Sequence, residues 1–381
     1  MLRGTPPFLP RSWGLPSLVT RHFLMTPDPL RVFLGAALVS AVVIFLVRAF
    51  ALRARLLDIP NERSSHTVPI PRLGGVGLVC GVWAVALTAS TVRAHPMFWM
   101  ALFSTLPLYL LIYDDILAAF GRHMRQMPKF ATQFTASALF ILKSGFVLHT
   151  ITLPAVGPIH LGWWIAAPAT FLWILYVTNI YNFMDGLDGL AGSQGLLIAT
   201  TLFGIAVSAG SATLSFLALA VAGASTGFLI FNRPPATIIM GDVGSAFLGF
   251  LLAASGVLCE REGVSFLTMP ILLSPFLFDA TYTLLRRLLR GEDIFQAHRF
   301  HLYQRLAHLG INPAVVNTLY VAALLPCGLS ATFLHQGRTS AALAAFTAFL
   351  VLGIAGIGWV ERAWSKGVQL NAPTDLPTPN P

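Results

Sequence analysis

Charged side chains are scarce in this chain of 381 residues. Asp, Glu, Lys and Arg together make up 10% of it, whereas 56% of the residues are hydrophobic. The mean hydropathy of +0.74 is far above that of soluble globular domains. This composition excludes a soluble fold and indicates a protein that crosses a membrane several times.

Cysteine is also scarce, with Cys80, Cys259 and Cys327 as the three examples. All three fall within or at the ends of apolar runs, and no CxxC spacing occurs. The pattern therefore excludes a disulfide framework and a cysteine-based metal site, and we interpret the three thiols as packing residues.

Period-two alternation is absent from the long apolar runs, which disfavours a transmembrane β-barrel. Runs of about 20 apolar residues, each long enough to cross a bilayer as a helix, recur along almost the whole chain. We therefore predict an all-α, polytopic membrane protein with about eleven transmembrane helices. The predicted spans are 30–49, 74–92, 96–113, 129–149, 161–179, 190–209, 211–230, 243–259, 264–285, 314–334 and 341–360.

These spans define an integral-membrane domain over residues 30–360. Residues 1–29 form an N-terminal segment, which translation from Met25 would largely omit, and residues 361–381 form a Pro-rich tail. Most Lys and Arg residues lie in alternate loops, which we assign to the cytoplasm by the positive-inside rule. The net charge of +9 is explained by this topology and by attraction to anionic lipid, with no role in binding nucleic acid.

Acidic residues number 15, and most of them map to the cytoplasmic loops or to the cytoplasmic halves of spans. An ionisable group at membrane depth costs several kcal/mol unless it is paired or hydrated, so it marks a functional site by default. The distribution predicts an active site at the cytoplasmic face.

Two acidic motifs carry most of this signal. Asp114 and Asp115 end the third span, where adjacent carboxylates repel each other and oppose the helix dipole, which favours metal binding or proton abstraction over a solvated helix end. The stretch TNIYNFMDGLDGLAG supplies Asn182, Asp185 and Asp188. Mg²⁺ prefers carboxylate oxygens, and an Asn amide can add a neutral ligand, so Asp185 and Asn182 are the candidate metal ligands. We expect the helix to deliver both and to end at Gly186.

The loop DIPNERSSHTVPIPRLGGVG supplies Arg63, His66 and Arg72, which could meet an anion before the second span. The alternative is an ordinary basic loop beside the membrane.

Asp242 lies between two glycines at the start of a predicted helix. It could cap that helix or help to build a phosphate site there. In the longest cytoplasmic loop, His298, Arg299 and His301 suit the neutralisation of a diphosphate. Zinc ligation by these histidines is disfavoured because no cysteine and no HExxH accompany them.

In their order and spacing, the segments DIPNERSSHT…PRLGG, DD, NFMDGLDGLAG, FNRPPATIIMGDVGS and HRFHLYQRL resemble the polyprenyl-phosphate N-acetylhexosamine-1-phosphate transferases, also called glycosyltransferase family 4. The resemblance implies a multi-pass enzyme of the bacterial inner membrane that uses Mg²⁺, with Mn²⁺ as an alternative. It would transfer a sugar 1-phosphate from a UDP-amino sugar to a polyprenyl phosphate such as undecaprenyl phosphate. HRFHLYQRL looks more like the enzymes that initiate O-antigen and related surface polysaccharides than like the peptidoglycan translocases. A homodimer is compatible with this prediction.

On this resemblance, a role can be expected for each candidate residue. Asp114 would act as the base or positioning group for the acceptor phosphate, with support from Asp115, and Asp185 would be the first metal ligand. Asp188 and Asp242 would shape the nucleotide or metal surroundings. The loop residues His298, Arg299 and His301 would bind the donor diphosphate.

Two rival functions stay open at this point. An intramembrane prenyltransferase would bind Mg²⁺–diphosphate through Asn/Asp-rich motifs, but the motif DDILA stops after two acids. A secondary transporter would bind its substrate near the membrane midplane between inverted repeats. The polar residues here lie at one face instead, and no pair of inverted halves is evident.

Overall fold

The protein is mostly helical. A computed structural model describes residues 28–58, 69–88, 96–118, 124, 126–154, 156–292 and 300–366. The helices are α1 (Pro29–Ala54), α2 (Gly75–Thr88), α3 (Pro96–Thr105), α4 (Leu108–Ala118), α5 (Gln126–Ser144), α6 (Trp163–Phe183), α7 (Leu190–Ala209), α8 (Ala212–Asn232), α9 (Gly241–Arg261), α10 (Thr268–Leu272), α11 (Ser274–Leu289), α12 (Leu302–His308), α13 (Pro313–His335) and α14 (Thr339–Ser365).

Two short antiparallel sheets interrupt the predicted all-α architecture. One pairs β1 (Leu57–Asp58) with β2 (Ile70–Pro71), and the other pairs β3 (Thr150–Leu153) with β4 (Gly157–His160). Both sheets connect helices rather than replace them, so the prediction of a helical polytopic protein holds.

Within the described residues, eight helical segments are long and apolar enough to cross a membrane, which supports a multi-pass protein. They are Pro29–Ala54, Pro96–Leu117, Trp163–Phe183, Leu190–Ala209, Ala212–Asn232, Gly241–Arg261, Pro313–His335 and Thr339–Ser365.

The other three predicted spans coincide with shorter or interrupted helices. The apolar helix α2 has 14 residues, and α5 mixes polar with apolar residues. The predicted span 264–285 is divided between α10 and α11, and Pro275 occupies the first turn of α11. Proline lacks the N–H needed to continue a preceding helix, which explains the break.

Side-chain caps fix where several spans begin. Ser211 accepts a hydrogen bond from the Leu214 N–H at the start of α8, at 3.1 Å. Asn312 accepts one from the Ala314 N–H at the start of α13, at 2.8 Å. Each cap satisfies a backbone donor that the helix itself leaves unpaired.

Helix α9 lies at the centre of the bundle, where almost all of its side chains are buried. It packs on α6 along its length and on α2, α3 and α4. The approach to α2 is so close that a Cβ on Gly75 would lie 2.1 Å from the Gly244 backbone nitrogen. This contact requires glycine and brings the loop before α2 to the N-terminal end of α9.

The two ends of α9 have different surroundings. At its C-terminal end, the Glu260 carboxylate accepts hydrogen bonds from the Thr152 N–H at 3.1 Å and the Phe266 N–H at 2.7 Å, which fixes the β3–β4 hairpin. At its N-terminal end lies Asp242, together with most of the predicted site residues that the structure describes.

Candidate functional site

Arg72 is the first centre of the site. Its guanidinium lies 3.1 Å from the Asp58 carboxylate, 2.9 Å from that of Asp115 and 3.8 Å from that of Asp242. These acids come from β1, α4 and α9, so one side chain connects three separate parts of the chain. The planar fork of arginine suits such multiple contacts better than the point charge of lysine.

Lys129 is the second centre. Its ammonium group forms ion pairs with Asp114 and, at 2.7 Å, with Asp242. Asp114 also accepts a hydrogen bond from the Met124 N–H at 2.6 Å. Asp242 therefore lies between Arg72 and Lys129, and it belongs to the first turn of α9, whose N-cap is Met240. The capping role considered for Asp242 is not what the structure shows.

The charges of this cluster do not balance among the described residues. The two cations face the five carboxylates of Asp58, Asp114, Asp115, Asp185 and Asp242. Burial raises the pKa of Asp185 to about 8; Arg72 opposes this rise, and the neighbouring carboxylates of Asp242, Asp115 and Asp188 add to it. Within the described residues, this grouping of carboxylates around Asp185 is an arrangement that a further cation would favour.

Asp185 differs from the other acids in its surroundings. Among the described residues, no donor lies within hydrogen-bonding distance of its carboxylate, and no Lys, Arg or His forms an ion pair with it. Asn182, one turn earlier, donates from Nδ2 to the Ser245 hydroxyl at 2.8 Å. That bond orients the Asn182 amide and leaves its Oδ1 oxygen as an available acceptor, so the pair predicted as metal ligands offers this amide oxygen and the Asp185 carboxylate.

The helix that carries Asn182 ends earlier than predicted. Helix α6 stops at Phe183, so Asp185 lies in the following turn and Gly186 is not the helix breaker. Tyr303 caps this end, because its hydroxyl donates to the Phe183 carbonyl at 3.0 Å. A Cβ on Gly186 would lie 2.0 Å from the same hydroxyl. Gly186 is thus needed for close packing against Tyr303.

Asp188 has a structural partner. Its carboxylate accepts a hydrogen bond from the Ala236 N–H at 2.9 Å. Asn232 ties the same two loops together, since it accepts from the Gly189 N–H at 2.9 Å and donates to the Ile238 carbonyl at 2.8 Å. Asp188 therefore holds the loop that leads into α9.

Of the predicted residues His298, Arg299 and His301, the structure describes His301. Its ring stacks between Phe183 and Tyr303, with centroid distances of 6.3 and 5.9 Å. Asp279 accepts hydrogen bonds from the Leu302 N–H at 2.7 Å and the Tyr303 N–H at 3.1 Å. The start of α12, and with it His301, is thereby fixed beside the turn that carries Asp185.

The structure thus brings together Asp114, Asp115, Arg72 and Asp242, with Asn182 and Asp185 alongside. Asp188 and His301 lie at the edges of this group. The predicted residues Arg63, His66, His298 and Arg299 lie outside the described residues.

The sequence motifs give no specific site role to Lys129, Asp58, Ser245, Asn232 or Asp279. The charge of Lys129 bears on topology in the sequence alone, although this residue begins the predicted span that follows Asp114 and Asp115. Its position at the same membrane face was the signal that could have identified it.

The fold and this cluster define a class: a polytopic membrane protein whose acidic site lies where several spans end. The family model described as glycosyl transferase family 4 matches residues 97–260. The probable undecaprenyl-phosphate N-acetylglucosaminyl 1-phosphate transferase of Bacillus subtilis is 30% identical over 284 residues, which cover 74% of this chain and 77% of the relative.

Two further relatives extend the comparison. The decaprenyl-phosphate N-acetylglucosaminephosphotransferase of Mycobacterium tuberculosis H37Rv is 28% identical over 362 residues, covering 86% of this chain and 89% of the relative. The phospho-N-acetylmuramoyl-pentapeptide-transferase of Latilactobacillus sakei is 34% identical over 189 residues, covering 48% and 56%. The chain belongs to glycosyl transferase family 4, which confirms the resemblance drawn from its five motifs.

Proposed function

We propose that this protein transfers a sugar 1-phosphate from a UDP-N-acetylamino sugar to polyprenyl phosphate, giving a polyprenyl diphosphate sugar and UMP. The observation that carries the proposal is the grouping of Asp114, Asp115 and Asp242 around Arg72 and Lys129 at the ends of membrane spans, with the Asp185 carboxylate close by. A lipid phosphate can reach such a site from the bilayer, and a soluble nucleotide can reach it from the water. The names of the relatives, which describe N-acetylglucosamine phosphate transfer to lipid phosphates, support the same reaction.

In this reaction an oxygen of the acceptor phosphate forms a bond to the phosphorus that carries the sugar, and the bond from that phosphorus to UMP breaks. Asp114 and Asp115 would position or deprotonate the acceptor phosphate. His301, with His298 and Arg299, would bind the donor diphosphate and offset the charge that develops on the leaving UMP.

Mg²⁺, with Mn²⁺ as an alternative, fits the donors present. Within the described residues, no three His, Cys, Asp or Glu side chains form a metal-binding group. Mg²⁺ commonly takes one or two protein carboxylates and completes its shell with water and substrate phosphates. Asp185 and Asn182 would hold it, and when bound it would neutralise the donor diphosphate.

We further propose that the chain has eleven spans and that its site faces the cytoplasm at the bacterial inner membrane. The reaction would be an initiating step of O-antigen or related surface polysaccharide synthesis. The concentration of Lys and Arg in alternate loops supports the orientation. Everted membrane vesicles should use added UDP-sugar, whereas sealed vesicles of native orientation should not; the reverse result would contradict the orientation.

The central test uses purified protein with polyprenyl phosphate, Mg²⁺ and labelled UDP-N-acetylglucosamine, followed by further UDP-amino sugars. We expect a labelled lipid diphosphate sugar and one UMP for each lipid formed. Uptake of substrate into vesicles without any lipid-linked product would instead support a transporter. Release of inorganic diphosphate from a prenyl donor would support the prenyltransferase.

A further inference from the structure

The last helix, α14, packs mainly against α13, and most of its surface faces away from the protein. Near its C-terminal end, however, one carboxylate that is 32% exposed joins a polar cluster around the buried Arg305. We propose that Glu361 is a positioning residue that aligns His301 for binding of the donor diphosphate. This inference rests on the proposed transfer reaction.

Three side chains converge on one oxygen of Glu361. Arg305 donates to it from Nη1 at 2.6 Å, Tyr282 donates from its hydroxyl at 2.5 Å, and the Nε of Arg286 lies 3.0 Å away. The guanidinium of Arg305 also stacks over the Trp364 ring, with 5.0 Å from Cζ to the ring centroid. Helix α14 therefore holds Arg305 with a charge on one side and an aromatic face on the other.

Arg305 depends on this carboxylate for its charge balance. Its side chain is fully buried, and its Nε and Nη2 atoms have no hydrogen-bond acceptor in the described part of the chain. Among the described residues, Glu361 is the acid in ion-pair contact with it. A buried guanidinium that loses its anion is strongly unfavourable, so the loss of Glu361 would displace Arg305 and the helix that carries it.

Arg305 lies on α12, a helix of seven residues that begins directly after His301. Asp279 fixes the start of this helix, and Tyr303 connects it to the end of α6 through the Phe183 carbonyl at 3.0 Å. A displacement of Arg305 would therefore move Tyr303, which lies two residues earlier on the same helix, and the His301 ring that stacks on Tyr303. Glu361 thus acts through the position of α12 and needs no contact with substrate.

The test compares Glu361→Gln with the wild type in purified form, using labelled UDP-sugar and polyprenyl phosphate varied separately. Glu361→Gln should raise KM for the UDP-sugar about tenfold and leave KM for polyprenyl phosphate unchanged. Glu361→Asp, which keeps the charge, should recover most of this loss. Glu262→Gln is the matched control, since Glu262 accepts one hydrogen bond, from Ser211 at 2.7 Å, and lies at the end of the bundle opposite to the site.

A double-mutant cycle with Tyr303→Phe then tests the route through α12. If Glu361 acts through this helix, the two losses in kcat/KM should be clearly less than additive. Additive losses would overturn the inference. So would a fall in kcat with both KM values unchanged, because a smaller folded fraction alone produces that pattern. If the wild type itself forms no lipid product, the proposed function has failed; wild-type activity matched by Glu361→Gln refutes only the role of Glu361.

Discussion

Lys129 and Asp242 lie 113 positions apart in the chain, yet the lysine ammonium is 2.7 Å from the aspartate carboxylate. The same ammonium pairs with Asp114, so it joins the end of the third predicted span to the start of α9. The pair provides charge compensation that the site has before any substrate arrives.

Replacement of Lys129 should therefore disable the site. Lys129→Ala leaves two carboxylates without their shared cation, and we expect kcat/KM to fall by roughly 100-fold, the loss typical of removing one preorganised donor from an active site. Steady-state kinetics in detergent would measure this. Lys143→Ala, an exposed lysine on the same helix, is the matched control and should behave as wild type; equal losses in both variants would show that the ion pairs are dispensable.

Asp185 and Asp188 should respond differently to substitution. Asp185→Asn removes the carboxylate that no described donor satisfies, and we expect transfer to fall by roughly 1,000-fold, since metal-based charge stabilisation contributes several kcal/mol. Asp188→Asn keeps an oxygen that can accept from the Ala236 N–H, so measurable activity should remain. Both variants should remain folded. Asp188→Asn should unfold close to the wild-type temperature, and Asp185→Asn should unfold no earlier than the wild type at neutral pH, because it removes a carboxyl whose ionisation is disfavoured by burial. Equal loss of activity at the two positions would contradict this ranking.

Metal affinity should depend on pH through Asp185. The pKa of this carboxyl is raised from 3.8 to about 8 in the metal-free protein, so a proton must leave before a cation binds. Below pH 8, Mn²⁺ affinity should rise by about tenfold per pH unit, and it should level off above it. Electron paramagnetic resonance of free Mn²⁺ would follow this, with Asp185→Asn as the flat control.

The same shift predicts the sign of a stability change. Between pH 4 and 8 the folded, metal-free protein keeps a proton on Asp185 that the unfolded chain has already released. The extra proton of the folded state therefore adds to the free energy of unfolding at low pH, and this addition is lost as the pH rises through about 8. If the free energy of unfolding instead rises over this pH range in the wild type, and this rise is missing in Asp185→Asn, the raised pKa is contradicted.

Gly186→Ala should test the contact between α12 and the turn that carries Asp185. The new methyl group would lie 2.0 Å from the Tyr303 hydroxyl, so the turn or the tyrosine must move. We expect loss of most transfer activity together with a lower unfolding temperature. Gly356→Ala is the control, because its new methyl group would have no neighbour within 4 Å on the exposed helix α14; that variant should lose neither activity nor stability.

Much of the fold could be predicted from hydropathy, because a bilayer requires long apolar helices whatever their neighbours are. The acid-rich motifs were equally visible, since carboxylates at membrane depth are costly and therefore rare. Asp114, Asp115 and Asp242 do meet in the structure, as expected for residues at one membrane face.

The pairings within the site could not be predicted. Arg72 contacts Asp115 and Lys129 contacts Asp242 only because α2, α4, α5 and α9 pack together, and single-sequence patterns do not encode that register. The end of α6 shows the same limit. The sequence predicts an end at Gly186, but the helix ends at Phe183, whose carbonyl accepts a hydrogen bond from Tyr303, 120 positions later in the chain.

The β3–β4 hairpin offers a landmark for sidedness. It is anchored to Glu260 at one end of α9, while Asp242 lies at the other, about 30 Å away for a helix of 21 residues. Val156, at the hairpin turn, is 72% exposed, whereas Cys259 and Cys327 are buried and Cys80 is partly buried. A single thiol introduced at Val156 would therefore report, to a reagent that cannot cross lipid, which compartment lies opposite the chemistry.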